Sequence, residues 1–329
     1  MKKYIKNLFK IEKKPKKGLL ALEWAMLIYL ALTLLYTFFL QTKLVNPDAM
    51  IWGRVRVLVM TALLWVVYRL VPCRITLYIR VFVQFLLLAW WYPDTYELNR
   101  ILPNLDHVFA KWDQEWFGCQ PALLFSQQWS SPVCSELLDV AYVAYFPMIF
   151  IVLTYYFFAR YQEFQRASFI VLAGFFLFYV LYIIIPVAGP TFYYKAVGVK
   201  NIVAGIFPNV HDYFNYHQDC LASPGYADGF GYHLLIDAHE AGERPTAAFP
   251  SSHVGITTML MWLLLHARQY KLFWWMMPLY LLLCLSTVYI QAHYLVDSLA
   301  GFVAGTLFYF VLLYSTRRWP EVQRPIKKI

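Results

Sequence analysis

Two short stretches carry residues suited to acid, base and nucleophile chemistry. In "ERPTAAFPSSHVGI", His253 follows Pro250, Ser251 and Ser252 just as an apolar run begins. In "STVYIQAHYLVDSLAG", His293 precedes Asp297 by four residues at the mouth of the last apolar run. Phosphoryl transfer by side chains alone needs a nucleophile, a group that orients it, an acid for the leaving alkoxide and donors for the phosphoryl oxygens. An i,i+4 spacing on a helix is expected to let the Asp297 carboxylate accept the His293 Nδ1 proton and leave Nε2 as the nucleophile. His253, on a separate segment, is expected to meet this pair at the same membrane surface. Ser251 and Ser252 fall at the expected start of a helix, where free amides and the helix dipole favour an anion. Arg244, seven residues before Ser251, and Lys195 are the candidate cations for the same oxygens. Taken singly, a His near a helix end, a capping Ser pair or a solvated Arg has an ordinary structural explanation. The convergence of separate segments on one surface is what marks these as a site.

The elements that must position them are set by composition. Hydrophobic residues make up 60% of the chain and charged residues 14%, against roughly 45–50% and about 25% in soluble proteins. Aromatic residues reach 19%, as suits a chain with Trp and Tyr at headgroup level. Apolar runs of spanning length lie near 18–40, 55–72, 75–92, 138–158, 167–186, 272–291 and 295–315, with a shorter one near 252–267. The expected fold is all-α: a polytopic transmembrane helical bundle of about eight spans. The first run is too long for a signal-peptide core and lacks a cleavage site, so it is expected to span.

The net charge of +9 does not point to nucleic acid, because eight lysines crowd into residues 1–17 and five basic residues into 317–328. Basic flanks of apolar runs face the cytoplasm. Eight crossings return both basic ends to one side, with 19 Lys and Arg there and eight on the other. The two His motifs then share the outer surface. Two outer segments, 93–137 and 187–248, are long and rich in aromatic residues; "LDHVFAKWDQEWFGCQPALLFSQQW" reads as an amphipathic stretch on the membrane surface. Cys119, Cys134 and Cys220 fall in these segments, where a Cys119–Cys134 bridge and free thiols are both open. His211, His217, His233 and His239 show no recurring metal-ligand spacing. No metal and no cofactor is expected.

"FPSSH" followed by "HYLVDSLAG" resembles the type-2 phosphatidic acid phosphatase superfamily, with its Pro-Ser-x-His and later His-x-x-x-Asp motifs. "PVAGPTFYY", "FPSSH" and "STVYIQAHYLVD" are similar to its inositol phosphorylceramide synthase-like branch. The resemblance implies a six-helix core, a phosphohistidine intermediate on His293 with Asp297 as its partner, His253 as the acid, and no metal. It divides the chain into residues 1–96 with the basic N-terminus and three helices, a catalytic region over 97–315, and a basic tail over 316–329. Two positions depart from the phosphatase pattern. Thr287 stands where that pattern has an Arg six residues before the second His, and Asp237 occupies the Lys position of the motif that ends in Arg244 and Pro245. The first departure is shared with the synthase branch and favours a transferase that moves a phosphorylated head group to a lipid hydroxyl such as that of ceramide or diacylglycerol. The alternatives are a lipid phosphatase and, without matched broken helices to support it, a transporter or lipid-binding scaffold. The expected partners are lipids of the bilayer. The absence of an Asn-x-Ser/Thr sequon in the outer segments leans towards a bacterial inner membrane with a periplasmic site, a Golgi lumenal site being the eukaryotic equivalent.

The charge pattern predicts that the site faces away from the cytoplasm. In a background without the native cysteines, Glu243→Cys should react with an impermeant thiol reagent supplied from the outer side; modification from the cytoplasmic side alone would reverse the topology.

Overall fold

The computed structural model describes residues 8–12, 15–240 and 242–319. The expected basic tail falls mostly outside these residues, as do five of the N-terminal lysines. Among the described residues the fold is helical throughout, without a named strand. The helices, in order, are α1 Ala21–Phe39, α2 Pro47–Leu70, α3 Arg74–Leu86, α4 Leu88–Asn99, α5 Asp106–Phe117, α6 Pro121–Gln128, α7 Pro132–Val143 and α8 Tyr145–Ala159. There follow α9 Tyr161–Ile184, α10 Pro190–Val197, α11 Val199–Val203, α12 Phe230–Glu240, α13 Ser252–His266, α14 Tyr270–Tyr289 and α15 Leu295–Ser315.

Among the described residues, six helical stretches are long and apolar enough to cross a bilayer: α1, α2, the α3–α4 pair as one, α9, α14 and α15. The run expected near 138–158 is a pair, α7 and α8, bent by 48° at Ala144, and makes a seventh if the pair is one span. The eighth expected run is α13, which differs. Its 15 residues rise about 22 Å, short of a hydrocarbon core of about 30 Å. It is walled in by α8, α9, α14 and α15 and buried along nearly all its length, so it needs no lipid-facing stripe of its own.

Local sequence accounts for several helix starts. Asn46 accepts from the Ala49 N–H at 3.2 Å ahead of Pro47, and Ser131 accepts from Cys134 N–H at 3.3 Å ahead of Pro132. Packing then places α9 at the centre, against α1, α4, α8, α13 and α15. Its buried side chains, among them Phe164, Leu172, Phe178 and Tyr182, form the middle of the main core.

Two ion pairs lie inside the apolar bundle among the described residues. Arg54 on α2 makes a two-pronged contact with Asp94 on α4, at 3.0 and 2.7 Å, and Arg80 on α3 pairs in the same way with Glu23 on α1. Such pairs tie the first four helices together, because an unpaired charge there is far more costly than the pair.

Helices α13 and α15 approach each other backbone to backbone. A Cβ on Gly305 would collide with the backbone of Gly255, and one on Gly301 with the carbonyl of Ser251. Small residues four apart on α15 thus let the two backbones touch, as in membrane helix pairs generally. Both helices begin at the same end, so this contact brings the two His motifs side by side.

Gly305→Val should force the helices apart, since backbone cannot yield as a flexible side chain can. We expect a loss of about 1–3 kcal/mol or more, read as a lower thermal midpoint in detergent. Gly18→Ala, where a Cβ meets nothing, should leave the midpoint unchanged; equal midpoints for both would mean the close approach is not needed.

Candidate active site

His253 sits in the first turn of α13. Its ring lies against Tyr142 of α7, centroids 4.4 Å apart and nearly parallel, and against Tyr145 of α8 at 4.3 Å. The ring of His293 is 6.0 Å from that of His253, centroid to centroid. A phosphorus atom between two imidazole nitrogens needs a gap of this order. Beyond Tyr142 lies His239, 6.0 Å from the tyrosine ring, with its Nδ1 3.1 Å from Glu243 Oε2.

His293 is not on the helix that carries Asp297. It occupies the turn between α14 and α15, and its main-chain N–H donates to the Thr287 carbonyl at 3.0 Å. The expected Nδ1 to carboxylate bond is therefore replaced. His293 Nδ1 lies 2.7 Å from the carbonyl oxygen of Ala248 and 3.8 Å from Asp297 Oδ2. Only a protonated Nδ1 can bond to a carbonyl, so Nε2 is left with its lone pair. Asp297 is drawn off by α15 itself. It is the third residue of that helix, and its Oδ2 accepts the Tyr294 N–H at 2.9 Å. Its Oδ1 has no partner among the described residues, and its own carbonyl accepts the Ser251 N–H at 3.0 Å. Burial pushes the His293 imidazole down to about 4, against the raising effect of the bond to Ala248, so it is neutral at pH 7.

Ser251 caps α13, its Oγ accepting from the Val254 N–H at 3.4 Å, and both Ser251 and Ser252 are buried. The amides expected to hold phosphate are largely engaged. Ser251 N–H goes to Asp297, Ser252 N–H to the Tyr182 hydroxyl at 3.0 Å, and Val254 N–H to the cap, leaving that of His253 without a partner among the described residues. Arg244 is exposed, and its Nη1 donates to the Glu243 carbonyl at 2.9 Å; Lys195 is exposed near the end of α10. The structure thus brings His253, His293, Asp297, Ser251 and Ser252 together and keeps Arg244 and Lys195 on the surface. Among the described residues no three His, Cys, Asp or Glu side chains come together as a metal site, and Cys119, Cys134 and Cys220 are all free.

Sequence reasoning missed the residues around these histidines. Tyr142 and Tyr145 come from a bend whose position is set by packing. Asp106 and Asp113 on α5 are buried although the segment reads as a surface helix. Asp106 accepts from Ala188 N–H, Gly189 N–H and the Tyr294 hydroxyl, and Asp113 from Leu295 N–H and Val296 N–H. Burial pushes each carboxyl up to about 6, against the opposing pull of these bonds. Their seven-residue spacing, on one face with Phe109 and Ala110, is the signal that would have found them.

The fold is thus a helical membrane bundle in which two histidines face each other beside a buried carboxylate. The sequence model of the PAP2 superfamily matches residues 107–311, well over half of the chain, and the chain belongs to that superfamily. No curated protein and no solved structure matches it. Membership supports an activity of the lipid phosphatase or phosphotransferase type.

The capping role of Asp297 predicts a split between two substitutions. Asp297→Asn keeps an oxygen for the Tyr294 N–H and should leave the thermal midpoint nearly unchanged. Asp297→Ala strands that buried N–H and should lose about 1–3 kcal/mol; equal midpoints would show that the cap contributes nothing.

Proposed function

We propose that this protein is a lipid phosphotransferase that moves a phosphorylated head group, phosphoinositol being one candidate, from a donor lipid to a lipid hydroxyl such as that of ceramide or diacylglycerol. The observation that carries the reading is the facing pair of rings, with His293 held by Ala248 in the tautomer that frees Nε2. In the first step the Nε2 lone pair attacks phosphorus, the bond from phosphorus to the donor oxygen breaks, and His253 gives its proton to the departing alkoxide. In the second, His253 takes the proton of the acceptor hydroxyl, whose oxygen attacks phosphorus as the P–N bond breaks. Asp297 supplies negative charge beside the imidazolium-like ring of the intermediate.

Position 287 supports transfer over hydrolysis of a phosphate monoester. Thr287 is buried, and its hydroxyl bonds with Ser298 Oγ at 2.9 Å and donates to the Cys284 carbonyl at 2.8 Å. A neutral network thus stands where the phosphatase pattern has a cation. A phosphodiester donor carries one negative charge where a monoester carries close to two, so it asks for less positive charge from the protein. Ser251, Ser252, Arg244 and Lys195 remain the candidates for oxygen contacts, Arg244 and Lys195 from the surface. We place the site on the outer face of the membrane, periplasmic in a bacterium.

Labelled donor lipid with and without acceptor tests the reading: label should move to the acceptor, whereas free phosphate released without acceptor would make the protein a phosphatase. His293→Ala should abolish turnover together with an acid-labile phosphoenzyme. His253→Ala should recover part of its loss with a nitrophenyl donor, whose leaving group needs no acid. Asp297→Asn, folded as above, should lose rate on the scale of a triad carboxylate, up to about 10⁴-fold. A phosphoenzyme retained in His293→Ala but lost in His253→Ala would exchange the two roles.

A further inference from the structure

Helix α5 is amphipathic in an unusual sense. Its outward face carries Trp112 and Trp116, exposed and stacked at 6.2 Å, while its inward face buries Asp106 and Asp113 with Phe109 and Ala110. Burying a carboxylate is unfavourable unless donors meet it, and each of these is met by donors from the two segments that frame His293. Asp106 takes the Ala188 N–H at 2.7 Å, the Gly189 N–H at 2.8 Å, the Tyr294 hydroxyl at 3.0 Å and the Asn104 amide at 2.5 Å. Asp113 takes the Leu295 and Val296 N–H groups at 2.9 and 3.0 Å, one on each oxygen. These are the first two amides of α15, where the helix dipole also favours a negative charge.

The contacts lead to the His293 ring by short paths. The Val187 carbonyl, next to the pair held by Asp106, accepts the Ala248 N–H at 3.0 Å, and the Ala248 carbonyl is the one that holds His293 Nδ1. The same 187–191 segment rests on the turn that carries His293: Thr191 N–H donates to the Gln291 carbonyl at 2.9 Å, and Gly189, at φ +98, has no room for a Cβ beside Ala292. From the other side, Asp113 fixes the start of α15 two residues past His293.

We infer that Asp106 and Asp113 are positioning residues for His293, and that α5 is a strap holding the turn and the Ala248 carbonyl in the geometry that presents Nε2. This rests on the reading of His293 as the nucleophile. Neither aspartate touches the reacting atoms; each acts through main-chain amides. Asn at either position keeps the shape but turns an NH₂ towards a peptide N–H, so the segment it holds must shift. A shift near 1 Å lowers the rate of attack by about 100-fold.

The test separates the number of working sites from their speed. With a nitrophenyl donor, the burst of acid-labile phosphoenzyme has an amplitude, which counts competent sites, and a rate constant, which measures attack. Asp106→Asn and Asp113→Asn should each keep the amplitude per folded protein and lower the rate constant about 10- to 100-fold. Tyr294→Phe, which removes one bond to Asp106 without adding a donor, should give a smaller fall in the same rate constant and keeps the test open if an Asn variant does not fold. Lys111→Ala, on the exposed face of α5 in a 3.6 Å pair with Glu115, should match the unsubstituted protein. Amplitudes that fall while the rate constant stays unchanged, or no change in either, would overturn the inference and leave the nucleophile in place. A protein that forms no phosphoenzyme before any substitution would overturn the nucleophile assignment and this inference with it.

Discussion

The contact between α13 and α15 is the constraint on which the site depends. Glycines at 255, 301 and 305 let main chain meet main chain, and the Ser251 N–H then reaches the Asp297 carbonyl at 3.0 Å. One hydrogen bond therefore joins the two motifs at the helix starts, where each helix has amides to spare. The histidines inherit their 6.0 Å separation from that join. Larger side chains at the glycines would widen the gap and leave two half-sites facing an apolar space.

Around this join several buried carboxylates are held by donors from distant segments. Arg54 with Asp94 and Arg80 with Glu23 serve the first four helices, far in sequence from the histidines. Asp106 and Asp113 serve the end of the bundle that carries the two His motifs, where they meet main-chain amides in place of basic side chains. Amides cannot move away or change charge, so a carboxylate bound to them fixes backbone position more firmly than a surface ion pair would. The exposed face of α5 is left to Trp112 and Trp116, residues suited to the headgroup layer.

The electrostatics near His293 are sparse in positive charge. Thr287 is neutral, Arg244 and Lys195 lie at the surface, and three amides at the start of α13 are already engaged. A substrate with a single negative charge asks for less compensating charge in such a setting than one with two. The buried carboxylate beside His293 is that of Asp297, whose Oδ2 lies 3.8 Å from Nδ1.

The helical class and the apolar, membrane-spanning character were legible in the residues alone, and His253, His293 and Asp297 stood out there as candidates. Apolar length and charge at the flanks are local properties, and so are the cap at Ser251 and the spacing of His293 and Asp297. The tertiary structure decided what each of these touches. The partner of His293 Nδ1 is the carbonyl of Ala248, and a carbonyl is carried by every residue, so no residue type could announce it. The i,i+4 spacing implied one helical face, but α15 begins at Leu295 and claims Asp297 for its own cap, which moves the carboxylate away from the ring. The run near 138–158 read as a single span and is part of a bent pair, and the bend at Ala144 puts Tyr142 and Tyr145 around His253. The inward turn of Asp106 and Asp113 is of the same kind: their spacing was visible, but the amides that make their burial favourable come from segments about 80 and 180 residues away, which only folding brings together.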